Sequence, residues 1–140
     1  MNPCPSGFRW MQFEFVVEFS KSPLWGRRVG MSRPDLQTIY IDAEASPAMQ
    51  RTAFLHEFLH CVSDLLLLDM SEQCVGQLAV FMLPELGLPW SDVALCDMLD
   101  RLQNRLKLDL DDNVRASLVE GMMGLVCYAP EVMRWLGNEN

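Results

Sequence analysis

The sequence predicts a mixed α+β fold, with a β-rich part over residues 1–45 and a helical part over residues 46–140. Segments rich in aromatic and β-branched residues, separated by turn signals, are confined to the first part. From Ser46 onward, capping residues precede long runs in which apolar residues recur three and four positions apart. Half of the 140 residues are hydrophobic, so a single domain of this length can bury a core.

The β-rich part contains three candidate strands. We expect them over residues 13–20, 27–32 and 36–43. The third, LQTIYIDA, carries Ile39 and Ile41 on one face because side chains alternate along a strand. The sequence SPLWG at 22–26 is a turn signal. The short connections favour a small antiparallel sheet.

The helical part contains four candidate helices. We expect them over residues 46–67, 71–83, 91–108 and 111–128. Ser46 is suited to cap the first helix, with Pro47 at its first position, and Ser91 is suited to cap the third. The segment LPELGLPW reads as a loop, and the final PEVMRWLG (130–137) as a short turn.

The charge and the cysteines exclude several classes of protein. The net charge is −8, and the only basic cluster is Arg27, Arg28 and Arg33, which argues against nucleic-acid binding. No secretory signal and no apolar run of membrane-spanning length is present. Five scattered cysteines without a CxxC pair are typical of a reducing compartment. We therefore expect a cytoplasmic protein with no nucleic-acid or membrane partner.

Both histidines lie in AFLHEFLHCVSD (53–64). At 100° per residue, His56, His60, Asp64 and Glu57 share a sector of about 100° on the first helix. The opposite face holds the apolar residues Phe54, Leu55, Phe58, Leu59, Val62, Leu65 and Leu66. The helix is therefore two-faced, with one face for packing and one for polar chemistry.

This HExxH pattern predicts a zinc site with a catalytic base. Two histidines four positions apart can offer nitrogens to one ion, and Glu57 lies where a carboxylate can take a proton from a metal-activated water. Two alternatives stay open. The pair can belong to a solvated helix face, or the site can bind zinc without catalysing a reaction.

A third protein ligand is needed, and the chain has no third histidine. Glu72 is the preferred candidate, because it begins the second helix at the head of its apolar stripe, with the small Gly76 beside it. An acidic residue at a helix start is also favoured by the helix dipole alone. Asp64 is the rival ligand or a hydrogen-bond acceptor for a ligand histidine. Glu120 is a weaker candidate because it lies away from the stripe of its own helix.

The segment from residue 36 to residue 83 resembles the short phage and prophage HExxH proteins related to the ImmA/IrrE-type metallopeptidases. The shared features are the strand I-x-I-D, the motif LHExLH, and Ser-Glu followed by an apolar helix. The resemblance implies a minimal zincin-like fold, with a sheet beside the active-site helix and gluzincin-type zinc ligation in which Glu72 is the third ligand. It also implies a bacterial host cell as the setting. Residues 84–107 depart from the family pattern and read as an insertion.

These features together predict a zinc metallopeptidase that acts on a protein or peptide substrate. Glu57 is the predicted general base, and the strand TIYID (38–42) is a candidate edge for an extended peptide. No motif identifies a group that stabilises an oxyanion, and Tyr40 and Tyr128 read as packing residues. The alternative function is a catalytically idle zinc-binding protein with a regulatory or structural role in a phage.

Overall fold

The computed structural model describes residues 3–21, 28–86 and 90–137. Within these ranges the chain forms a four-stranded sheet followed by five α-helices, which confirms the predicted α+β class. The strands are β1 (Gly7–Trp10), β2 (Phe13–Ser20), β3 (Gly30–Arg33) and β4 (Thr38–Asp42). The helices are α1 (Pro47–Leu65), α2 (Glu72–Met82), α3 (Asp92–Leu106), α4 (Asp112–Tyr128) and α5 (Pro130–Leu136). The predicted turn at 22–26, Arg27 and part of the predicted loop at 83–90 lie outside the described residues.

The strand order is β1-β2-β4-β3, so β4 is an interior strand. β4 pairs in parallel with β2 and antiparallel with β3, and its Thr38, Ile39 and Ile41 are buried. The prediction of an antiparallel sheet is therefore wrong for β2 and β4. The chain between these two strands includes β3 itself, and this makes the connection long enough for a parallel pair.

Two elements differ from the sequence-based expectation. β1 makes four strands instead of three, and it pairs antiparallel with β2 through a tight turn in which Met11 has a φ of 56°. Left-handed backbone in such a turn usually requires Gly, Asn or Asp, so the sequence lacked the normal hairpin signal. Near the C-terminus, residues 130–136 form the short helix α5, which was predicted as a turn.

α1 packs across the sheet with its apolar face. Phe54, Leu55, Phe58 and Leu59 are fully buried, as the helical periodicity predicts. The rings of Phe8, Trp10, Phe15, Phe54 and Phe58 form one aromatic cluster between the sheet and α1. This packing fixes the rotation of α1, so the sector that carries the two histidines faces away from the core.

β1 is also tied to α4. The indole Nε1 of the buried Trp10 donates a hydrogen bond to the carbonyl of Gly121 at 2.8 Å. A Cβ added at Gly124 would lie 2.5 Å from the same nitrogen, so the absence of a side chain there lets the indole rest on the helix. None of the described helices is long and apolar enough to cross a bilayer.

Candidate metal centre

The three predicted ligands come from two neighbouring helices. His56 and His60 lie one turn apart on α1, and Glu72 is the first residue of α2. Ser71 caps α2 by accepting a hydrogen bond from the backbone N–H of Cys74 at 3.1 Å. The position of Glu72 is therefore set by where the chain turns between the two helices.

Ser63 anchors this turn, although sequence reasoning did not select it. Its hydroxyl accepts a hydrogen bond from the N–H of Met70 at 2.9 Å, and its carbonyl accepts one from the N–H of Leu68 at 2.8 Å. Leu67 and Asp69 adopt left-handed backbone, with φ of 56° and 55°. The only available signal was a hydroxyl residue within an apolar stretch near the end of the helix.

The structure brings His56, His60 and Glu72 together. The carboxylate oxygens Oε1 and Oε2 of Glu72 lie 2.7 Å from Nε2 of His56 and 2.7 Å from Nε2 of His60, respectively. The two Nε2 atoms are 3.1 Å apart. Among the described residues this is the one group of three His, Cys, Asp or Glu side chains with ligand atoms close enough to hold an ion.

The group is reachable from solvent. The side chains of His56 and His60 are 24% and 26% exposed, and that of Glu72 is 73% exposed. Burial raises the pKa of the Glu72 carboxyl, but the charges and hydrogen bonds of His60 and His56 outweigh it, and the net pKa is lowered. The carboxylate is thus held in the charged form that a metal ligand requires.

The donor set fits zinc. A tetrahedral zinc ion holds nitrogen and oxygen ligands at about 2.0–2.2 Å, which places those ligand atoms about 3.3 Å from one another. The donor distances here, 2.7, 2.7 and 3.1 Å, are slightly shorter. An outward shift of about 0.6 Å by Glu72, the most exposed of the three ligands, closes the larger part of this difference. Two imidazoles and one glutamate are the ligands of His₂Glu catalytic zinc sites.

Glu57 lines the same cleft as the three ligands. This cleft has a volume of about 870 Å³ and runs between α1 and the strand β3. Among the described residues, no hydrogen bond or ion pair engages the Glu57 carboxylate. Gly30 packs against its stem, because a Cβ at Gly30 would lie 3.2 Å from Cγ of Glu57. Glu57 is therefore positioned in the cleft by the packing of its stem against Gly30.

The other candidate residues lie outside the group of three ligands. Asp64 is exposed at the cleft wall and does not join the ligand group. Glu120 is exposed on α4 and lines a separate groove. Cys61 is buried, and burial raises the pKa of its thiol to about 12, so it is a packing residue and not a ligand. Tyr128, predicted to pack, is half exposed beneath the guanidinium of Arg9.

The sheet edge beside the cleft is β3 and not β4. The prediction that TIYID (38–42) forms the edge is wrong, since β4 pairs on both sides. The N–H of Asp42 donates a hydrogen bond to the carbonyl of Val29. In an antiparallel pair, every second residue directs its N–H and C=O groups to the partner strand, so Gly30 and Ser32 direct theirs away from β4. Both residues line the cleft.

No protein-family model, curated protein or solved structure matches this chain.

Proposed function

We propose that this chain is a zinc-dependent metallopeptidase that hydrolyses peptide bonds in a protein or peptide substrate. The observation that carries the proposal is the convergence of His56, His60 and Glu72 on one point, with Glu57 in the same cleft. No fourth ligand joins the group within the described residues. Three protein ligands leave a coordination position for water or substrate, whereas structural zinc sites use four.

The residues have separate roles in the proposed reaction. Bound zinc supplies a Lewis acid that activates water and polarises the scissile carbonyl. Glu57 takes the proton of the attacking water and passes it to the leaving amine. His56 and His60 lie on a helix whose opposite face is buried, so the backbone that carries both imidazoles is held in place.

The edge of β3 is suited to hold the substrate. An extended peptide that pairs with the outward backbone groups of Gly30 and Ser32 adds a strand to the sheet. Both residues line the cleft that contains the ligands, so such a peptide passes close to the metal centre. Because such pairing uses only the backbone of the peptide, specificity has to come from the side chains of the substrate.

The alternative is an idle zinc-binding protein with a regulatory or structural role. Glu57 favours the enzyme. Its carboxylate has neither a hydrogen bond nor an ion pair among the described residues, and a purely structural site has no need of such a group.

All five cysteines are free, which supports a reducing compartment. We place the protein in the cytoplasm of a bacterial host, where its substrate is a host or phage regulatory protein.

The test compares zinc-loaded wild type with Glu57→Gln. Each protein is incubated with a host lysate, and new protein N-termini are labelled and identified. The matched control is Glu120→Gln, the same change at an exposed carboxylate outside the cleft. We expect new N-termini with wild type and the control, and none with Glu57→Gln, although all three retain zinc. If zinc-loaded wild type produces no new N-termini, the enzyme is refuted and the idle alternative is favoured.

A further inference from the structure

The cleft extends well beyond the metal centre. Met49 lies seven residues before His56 on the same face of α1, which is about 10 Å along the helix axis. Ala53 lies between them, one turn before the histidines. The cleft therefore has a second surface toward the start of α1.

This second surface is apolar. Val29, Ala48, Met49 and Ala53 line it, and Met49 is 51% exposed although it is a large hydrophobic residue. Thr52 also lines it, but its hydroxyl donates a hydrogen bond to the carbonyl of Ala48 at 3.1 Å. Since the hydroxyl is engaged within the helix, Thr52 is left with its methyl group as the unengaged part of the side chain.

The two ends of the cleft differ in charge. The carboxylates that line the cleft belong to Glu57, Glu72 and Asp64. All three lie level with the metal centre or further from the start of α1. Apart from these carboxylates and the two histidines, the titratable residue among the described lining is Arg28. The substrate side chain that points toward the start of α1 thus meets methyl and thioether groups and no carboxylate.

We propose that Val29, Ala48, Met49 and Ala53 form an apolar subsite for the substrate side chain next to the scissile bond, on the side toward the start of α1. The occupant is a large aliphatic or aromatic side chain of an extended peptide. Met49 suits this role because its unbranched thioether adapts to differently shaped apolar groups. This inference rests on the proposed function, since the metal centre and the subsite share one cleft.

The test uses hydroxamates, which bind to zinc and require no turnover. Acetohydroxamate probes the metal centre alone, and a succinyl hydroxamate with an isobutyl side chain probes the metal centre and the subsite together. A third compound carries a carboxymethyl group in place of isobutyl. Binding to zinc-loaded protein is measured by calorimetry. We expect the isobutyl compound to bind at least about tenfold more tightly than the other two, because burial of each methylene contributes several-fold.

Met49→Asp should remove most of this gain and leave acetohydroxamate binding unchanged. The variant is expected to fold, since an acidic residue in the first turn of a helix is favoured by the dipole. Val93→Asp, at a residue 79% exposed on α3, is the matched control and should behave as wild type. If acetohydroxamate binds but isobutyl adds nothing, or Met49→Asp keeps the gain, the subsite is refuted alone. If acetohydroxamate fails to bind, the metal centre and the proposed function are refuted with it.

Discussion

Gly30 and Gly76 both lie beside the candidate metal centre, and alanine at the two positions is expected to change the free energy of unfolding in opposite directions. A Cβ at Gly30 would lie 3.2 Å from Cγ of Glu57, 3.2 Å from the carbonyl oxygen of Tyr40 and 3.3 Å from Cβ of Ala53. Two of these neighbours are a backbone atom of the interior strand and a methyl group of α1, so only the Glu57 side chain can yield easily. Gly30→Ala must therefore displace either the edge strand or the side chain of Glu57, the proposed general base.

The magnitudes follow from these contacts. Overpacking at Gly30 costs about 1–3 kcal/mol. The lower entropy of the unfolded alanine variant offsets about 0.4–1 kcal/mol of this cost, so Gly30→Ala should destabilise the protein by about 1 kcal/mol. A Cβ at Gly76 would lie 3.6 Å from Cε1 of His56, an ordinary contact. Because glycine within a helix is about 0.8–1.0 kcal/mol less favourable than alanine, Gly76→Ala should stabilise the protein by nearly that amount.

The assay is equilibrium urea unfolding of metal-free protein, followed by zinc titration of each variant. We expect Gly30→Ala to unfold at lower urea than wild type and Gly76→Ala at higher urea, with zinc affinity nearly unchanged in both. The proposed peptidase activity should fall in Gly30→Ala, because Glu57 is the neighbour that yields most easily. A Gly30→Ala protein as stable as wild type, or a Gly76→Ala protein less stable than wild type, would contradict the packing described for the cleft.

Three further predictions concern the same region. Ser63→Ala should destabilise the protein by about 1–2 kcal/mol and weaken zinc binding, because the turn between α1 and α2 loses the hydrogen bond to the Ser63 hydroxyl. Unchanged zinc affinity would show that this turn does not position Glu72. In native protein, Ellman's reagent should react rapidly with the exposed Cys96 and Cys127, and with Cys61 only after denaturation, because burial raises the pKa of that thiol to about 12; rapid reaction of Cys61 would contradict its burial. The folded-state pKa of Glu72 is lowered from its ordinary 4.5, so its stabilising effect is present above that pH and is lost as the pH falls through the folded value. Acid titration of metal-free protein should therefore show a smaller loss of stability in Glu72→Gln than in wild type, and equal losses would refute the contribution of this carboxylate.

Local signals predicted the helical part well. Ser46 and Ser91, the two predicted caps, each accept the capping hydrogen bond at the start of α1 and α3. The periodicity of α1 also separated its buried face from the sector of His56 and His60. These signals succeed because caps and amphipathic periodicity act within a few residues of the chain.

The sheet and the turn between α1 and α2 depend on contacts between distant residues, and here the sequence was less informative. β4 lies between β2 and β3, and the short connections along the chain do not reveal this order. Ser63 acts through backbone groups of Leu68 and Met70, and no pattern of side chains marks such a role. Glu72 was predicted from its place at the head of an apolar stripe, but its approach to both histidines depends on that turn.

The most direct test of the proposed metal centre is a zinc titration of metal-free wild type, Glu72→Ala and Asp64→Ala. We predict that wild type binds one zinc ion per chain. Loss of one ligand should remove about 3 kcal/mol of binding free energy, so Glu72→Ala should bind roughly a hundredfold more weakly. Asp64→Ala should stay close to wild type. Wild-type affinity in Glu72→Ala, or a loss confined to Asp64→Ala, would contradict the assignment of His56, His60 and Glu72 as the ligands.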